Sequence, residues 1–217
     1  MSLKTAVIIG AGPGIGLHTA EQFAKNGYQV ALLARNADRL ADYETQLSQK
    51  GYTAKGFEVD TRSEADLQMV MDQIHHTFGS IDAVVYNAVA ATPGRPTTLS
   101  SADVIRDFEV NVLGALISAR FAAPYMDGGS ILLTGGGLAL YPSADYASLA
   151  IGKAALRNLA YSLHEELADS SVYVGTLTIK GFVQEGTYFA PERIAEALYD
   201  MHVQQTEVER MYEEDQA

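Results

Sequence analysis

The chain has 217 residues, of which 47% are hydrophobic, no cysteine, and a net charge of −12 at pH 7. That length suits one domain with an ample core, and the composition argues against disorder. The charge disfavours nucleic acid and anionic membranes as partners, the missing cysteine excludes disulfide and thiolate chemistry, and no apolar run reaches the ~18 residues of a membrane span.

The predicted elements alternate between strand and helix from end to end, with no repeat, linker or low-complexity stretch. Met1-Ser2-Leu3-Lys4 leads straight into the first apolar run, so the expectation is a cytoplasmic protein without a signal peptide. Residues 5–9 form a β-branched strand ending in glycines, and residues 15–26 follow with Leu17, Ala20, Phe23 and Ala24 at helical spacing. Gly27 stands where a helix-ending glycine belongs. A second strand is predicted over 29–34, a polar helix over 37–49 that ends at Gly51, and a third strand that stops near Val59. Ser63, with Asp66 three residues on, resembles a capping box and opens a helix running to about Phe78. A fourth strand is predicted over 81–86, a long helix over 102–123 stopped by Pro124, and a fifth strand over 130–134. A helix over 143–167 carries Lys153, a sixth strand covers 172–179, and Pro191 opens a last helix over 192–204. Residues 206–212 alternate poorly and read as an edge strand at most, within an acidic tail from Glu207 to Asp215.

Near-continuous apolar strands separated by helices imply an α/β fold: one domain over 1–217, a doubly wound parallel sheet with helices on both faces. Ligands of such sheets bind at the carboxyl ends of the strands, and the candidate motifs lie there.

Gly10-Ala11-Gly12-Pro13-Gly14-Ile15-Gly16 joins the first strand to the first helix. A diphosphate needs close backbone approach and free N–H groups at a helix N-terminus, and glycine permits both; Gly10, Gly12, Gly14, Ile15 and Gly16 are the candidate contacts. The plainer alternative is an ordinary tight turn. The second strand ends at Ala34, followed by Arg35. A carboxylate there would bind a ribose 2′-hydroxyl, whereas a guanidinium suits a 2′-phosphate, so NADP(H) is favoured over NAD(H). The alternative is a solvated Arg35 pairing with Asp38. None of the five histidines has metal-ligand spacing, so no metal site is expected.

Gly10, Gly14 and Gly16 have the spacing of the short-chain dehydrogenase/reductase family, which the chain resembles from Lys4 to about Thr187. The resemblance implies an NAD(P)-binding Rossmann fold, a nicotinamide cofactor, and hydride transfer between a carbonyl and an alcohol on a small molecule. It assigns Asp60-Thr61 to the adenine side and Asn87-Ala88 to the adenine ribose, with Val89 replacing a glycine and so requiring a turn of φ < 0. It makes Asn111 the helix asparagine that holds a kink and a water next to the lysine. Lys153 becomes the lysine that binds the nicotinamide ribose, and Thr187, one or two places out of register, the threonine at the carboxamide. Homodimers or homotetramers form in the family through the fourth and fifth helices, where Ala-rich residues 115–123 and 147–160 would allow close packing.

The chain departs from the family at two positions. The family's proton-donating Tyr, four residues before the Lys, falls on Leu149, and its carbonyl-polarising Ser falls on Gly136. Tyr146, two helical turns before Lys153, is the candidate replacement donor; the alternative is a packing aromatic in the first helical turn. Gly135-Gly136-Gly137 either leave space for a ligand, offer free N–H donors, or form a flexible turn. Lys180-Gly181 replaces the family's Pro-Gly, which frees Lys180 to face a carboxylate or phosphate, and the lid that follows is short. The expected function is an NADP(H)-dependent oxidoreductase with an atypical site. The alternative is a catalytically inactive dinucleotide-binding protein with a sensor or regulatory role.

Overall fold

The computed structural model describes residues 3–214; Met1, Ser2, Asp215, Gln216 and Ala217 lie outside them. Seven strands, β1 (Lys4–Ile9), β2 (Tyr28–Ala34), β3 (Ala54–Glu58), β4 (Ala83–Tyr86), β5 (Ser130–Thr134), β6 (Tyr173–Ile179) and β7 (Glu209–Tyr212), form one sheet in the order β3-β2-β1-β4-β5-β6-β7. All six pairings are parallel. Successive strand residues face opposite sides, so a strand buried on both faces is apolar throughout. Helices α1 (Ile15–Lys25), α2 (Ala37–Gln49) and α7 (Pro191–Gln204) bury Phe23, Leu40 and Leu198 against Ile8, Leu32 and Leu132. On the other face, α3 (Glu64–Phe78), α5 (Gly114–Ala122) and α6 (Ala147–Leu167) bury Leu67, Ile117 and Leu156 against Val7, Leu33 and Leu133. The strand order reverses between β1 and β4, which opens a crevice at their carboxyl ends. Among the described residues no helix is long and apolar enough to cross a membrane.

Several local signals act as the sequence implies. Ser63 accepts the Asp66 N–H at the start of α3, and Gly27 and Gly51 take positive φ just past α1 and α2. Val89 is absent from the residues of positive φ, as its side chain demands.

Two expectations are corrected, and the possible edge strand is present. The helix read over 102–123 is α4 (Ser101–Phe108), a π turn (Glu109–Leu113) and α5. The Tyr86 hydroxyl donates to the Val110 carbonyl (2.5 Å), and the Gly114 N–H reaches back five residues to the Glu109 oxygen. The helix read over 143–167 begins only at Ala147. The Asp145 carbonyl accepts from the Gly94 N–H (2.8 Å) and the Ala147 N–H donates to the Gly94 carbonyl (3.3 Å), so this distant loop takes groups that a longer helix would use. Residues 209–212 do form a strand, β7, paired with β6 at the sheet edge.

Candidate functional site

The glycine turn between β1 and α1 contains two kinds of glycine. At Gly10, φ is +85°, and an added Cβ would lie 2.7 Å from the Ala88 Cα. At Gly16 it would collide with the Gly10 carbonyl oxygen and sit 3.0 Å from the Ala11 Cα. Packing alone requires these two. Gly14, the N-cap of α1, has nothing within 4 Å of such a Cβ, and at Gly12 the nearest atom is 4.0 Å away. The first-turn amides of Ile15 and Gly16 precede the first intrahelical acceptors. The turn therefore presents donors and open space together, and the residues present fit a diphosphate.

The ends of β2, β3 and β4 surround this turn. Arg35 is exposed and makes no ion pair among the described residues, with Asp38 or any other group. Asp60 is fully engaged by Arg62, whose Nε lies 3.0 Å from both carboxylate oxygens and whose N–H adds a further bond. Hydrogen bonding to Arg62 holds its carboxyl below the usual range, with burial opposing and the Arg35 charge contributing. Thr61 is buried beneath Tyr86 and Gly114. The Asn87 side chain donates to the Gly10 carbonyl (3.0 Å) and its N–H to Ile9 (2.8 Å), which ties β4 to the turn. Ala88 packs where a Gly10 side chain would be.

Asn111 lies in the π turn and is 2% exposed. Its amide brackets Ala90, accepting from its N–H (2.9 Å) and donating to its carbonyl (2.7 Å). It also packs on Gly152, the residue before Lys153. One turn earlier, Asp107 does the same for Thr92, accepting from its N–H (2.6 Å) and its hydroxyl (3.1 Å), and also accepts from Ser148 at the start of α6. Burial pushes the Asp107 carboxyl up, but the bonds from Ser148 and Thr92 outweigh it and hold the group ionised. The sequence reading missed this buried hub; the available signal was its i, i+4 spacing from Asn111.

Lys153 extends to the carboxyl end of β5, where its Nζ donates to the Thr134 carbonyl (2.6 Å). Burial brings its pKa down to about 8. An added Cβ at Gly136 would rest 3.5 Å from the Lys153 Cε, so this glycine leaves the lysine stem uncovered. The Thr134 hydroxyl beside it is buried without a partner among the described residues. Leu149 is half-buried one turn before Lys153.

Tyr146 is corrected. It is the N-cap of α6, with φ −129° and ψ 44°, so the two-turn helical argument does not place it on the Lys153 face. It is 45% exposed, and its hydroxyl has no hydrogen bond among the described residues. Thr187 is not free either: its hydroxyl donates to Gln184 (2.8 Å) and accepts from the Phe189 N–H (3.1 Å). The lid after β6 is short, as expected. The stacked rings of Tyr188 and Tyr212 (4.9 Å) pin it to β7.

The chain belongs to the short-chain dehydrogenase family: residues 4–187 match the model described as short chain dehydrogenase. The oxidoreductase asL5 of Sarocladium schorii is 30% identical over 213 residues, covering 96% of this chain and 82% of that protein. Other relatives match over smaller shares of their own length, 66% for two and 35% for a third. A short chain dehydrogenase from Mycobacterium smegmatis superposes with a TM-score of 0.91 at 20% identity, over 100% of this chain and 94% of that one. A metagenomic short-chain oxidoreductase solved with NADP does so at 0.88 and 25% identity, over 96% and 95%.

Proposed function

We propose that the protein is an NADP(H)-dependent oxidoreductase that interconverts a small-molecule carbonyl and alcohol in a site lacking the family's Ser and Tyr hydroxyls. The observation that carries this reading is Lys153, anchored on Thr134 at the end of β5 with its stem uncovered by Gly136. In this reading Gly10, Gly12, Gly14, Ile15 and Gly16 form the diphosphate cradle and Arg35 takes the 2′-phosphate. Asp60, Thr61, Asn87 and Ala88 line the adenosine half. Lys153 holds the nicotinamide ribose, and Asn111 fixes the π turn and the Ala90 loop around it. Thr187 reaches the carboxamide only by releasing Gln184. When bound, the nicotinamide supplies or accepts the hydride.

The proton is the open part of the chemistry. Leu149 and Gly136 have none to give, and loss of a general acid costs ~10²–10⁴ in rate. Tyr146 is our candidate donor because its hydroxyl is unpartnered, and closure of the 140–146 turn would be needed to bring it in. The test is a fluorescence titration with NADPH and NADH, followed by NADPH oxidation with a carbonyl panel. Absence of binding to either cofactor would sink the reading.

Leu149 and Gly136 favour a second reading, in which an intact cofactor half serves a sensor or regulatory role without turnover. Tight NADPH binding with no reductase activity would select it. We further propose a cytoplasmic homodimer or homotetramer. Ile105 (59% exposed) and Ile151 (50% exposed), on the outer faces of α4 and α6, would supply the apolar contact.

A further inference from the structure

The glycine run after β5 separates two lysines. Gly136 abuts the Lys153 stem, while an added Cβ at the next residue, Gly137, would lie 3.3 Å from the Lys180 Cα and 3.6 Å from its Cγ. Lys180 is the first residue beyond β6, and its backbone is fixed because its N–H donates to the Tyr212 carbonyl (2.9 Å). Its side chain is 21% exposed. The ammonium stands 5.5 Å above the ring of Tyr141, whose own N–H is held by the Gly137 carbonyl (2.8 Å). The partner of that ammonium is the carboxylate of Glu213, just past β7. Glu213 raises the Lys180 pKa, so the cation stays charged. Two residues further along the chain, Phe182 is 92% exposed, an aromatic ring with no protein surface to cover.

We propose that Lys180 is the substrate-recognition cation of this site, that it selects carbonyl compounds carrying a carboxylate, and that Glu213 holds this position until such a substrate displaces it. The inference rests on the oxidoreductase reading above. A net charge of −12 opposes the approach of any anion, so an acidic substrate requires a local cation. One ammonium over one ring, with a single carboxylate as its observed occupant, matches a monoanion rather than a phosphate, which calls for several donors. The Glu213 carboxylate is half exposed, so water screens the pair from that side and can take the place of Glu213 when it leaves. Tyr141 and Phe182 would receive the apolar body of the substrate.

The test uses matched pairs that differ only in charge: benzoylformate and levulinate, each against its methyl ester, with NADPH and the full chain. The expected result is at least a tenfold preference in kcat/KM for the acid. Lys180→Met should abolish that preference, lowering kcat/KM for the acid at least tenfold more than for the ester, and Lys180→Arg should restore it. Glu213→Gln should lower KM for the acid alone, because the competing carboxylate is gone. Equal loss for acid and ester in Lys180→Met, or no preference in the wild type, overturns the proposal. If no compound oxidises NADPH, the oxidoreductase reading fails by itself, and calorimetric titration of benzoylformate then decides. Binding that Lys180→Met removes upholds the anion site, and binding that is absent or unchanged overturns it.

Discussion

Gly16 presses on the carbonyl of Gly10 so closely that no side chain fits between α1 and the turn, whereas Gly14, two residues before Gly16, faces open space. The two glycines therefore separate folding from binding. Gly16→Ala forces backbone against backbone and should cost about 1–3 kcal/mol of stability, as overpacking does. Gly14→Ala should leave the melting temperature within a few degrees of wild type yet weaken NADPH at least tenfold, because its methyl fills the cradle. Thermal melts and fluorescence titrations of the two variants check this. Equal effects on both properties would remove Gly14 from the cofactor site.

Arg35 follows β2 with no ion pair among the described residues, although Asp38 is near in sequence and Asp60 feels its charge. An arginine left unpaired in so acidic a chain is available for a phosphate. Arg35→Asp should lower NADPH affinity about 10–100-fold and leave NADH affinity unchanged or improved. A parallel loss for both cofactors would mean that Arg35 supports the loop rather than reading the 2′ position.

The hydroxyl positions can be tested by loss and by repair. Tyr146→Phe should reduce turnover by roughly 10²–10⁴-fold with little change in NADPH binding, the signature of a lost proton donor. Full retention of rate would take Tyr146 out of the chemistry. In the other direction, Gly136 has φ −168°, extended backbone open to any residue, and the atoms nearest its added Cβ are those of the Lys153 stem, at 3.5 to 3.7 Å. Gly136→Ser should therefore fold with a stability change near ±0.5 kcal/mol. It should raise turnover if a missing oxyanion donor limits the rate.

How far the sequence foretold the site depended on the range of the interactions. The glycine turn was legible because its packing and its chemistry demand the same residue within seven positions. The resemblance implied a kink at Asn111, but its form as a π turn was not legible, because the Tyr86 hydroxyl that binds the Val110 carbonyl lies 24 residues away. Tyr146 was misplaced for a related reason: the start of α6 is set by Gly94, which no local pattern signals. Asp107 reads in sequence as one more solvated acid. It is buried because Thr92 and Ser148, 15 and 41 residues away, supply its donors. Lys180 was seen as a cation seeking an anion, but the anion proved to be the chain's own Glu213.

His202, on α7, links the two halves of the sheet away from the site. Its Nε2 pairs with the Tyr28 hydroxyl and its Nδ1 with the Ser130 hydroxyl, each at 2.7 Å. Hydroxyls can serve either protonation state, so the bonds themselves do not decide its charge. Burial does, followed by the nearby Lys4 charge, and together they bring its pKa from 6.5 down to about 4 against a weaker opposing pull from Asp82. The sign follows. Between pH 6.5 and about 4 the unfolded chain binds a proton that the native protein refuses, so stability falls as pH falls through that window. At ~1.4 kcal/mol for each pH unit, the full loss is about 3 kcal/mol. Chemical denaturation at pH 7.5 and at pH 4.5, in wild type and in His202→Gln, measures it. The variant should be less stable than wild type at pH 7.5, and the gap should shrink toward pH 4.5 as wild type alone loses this term. A gap independent of pH would show that His202 takes up its proton equally in the native and the unfolded chain, with no depression of its pKa on folding.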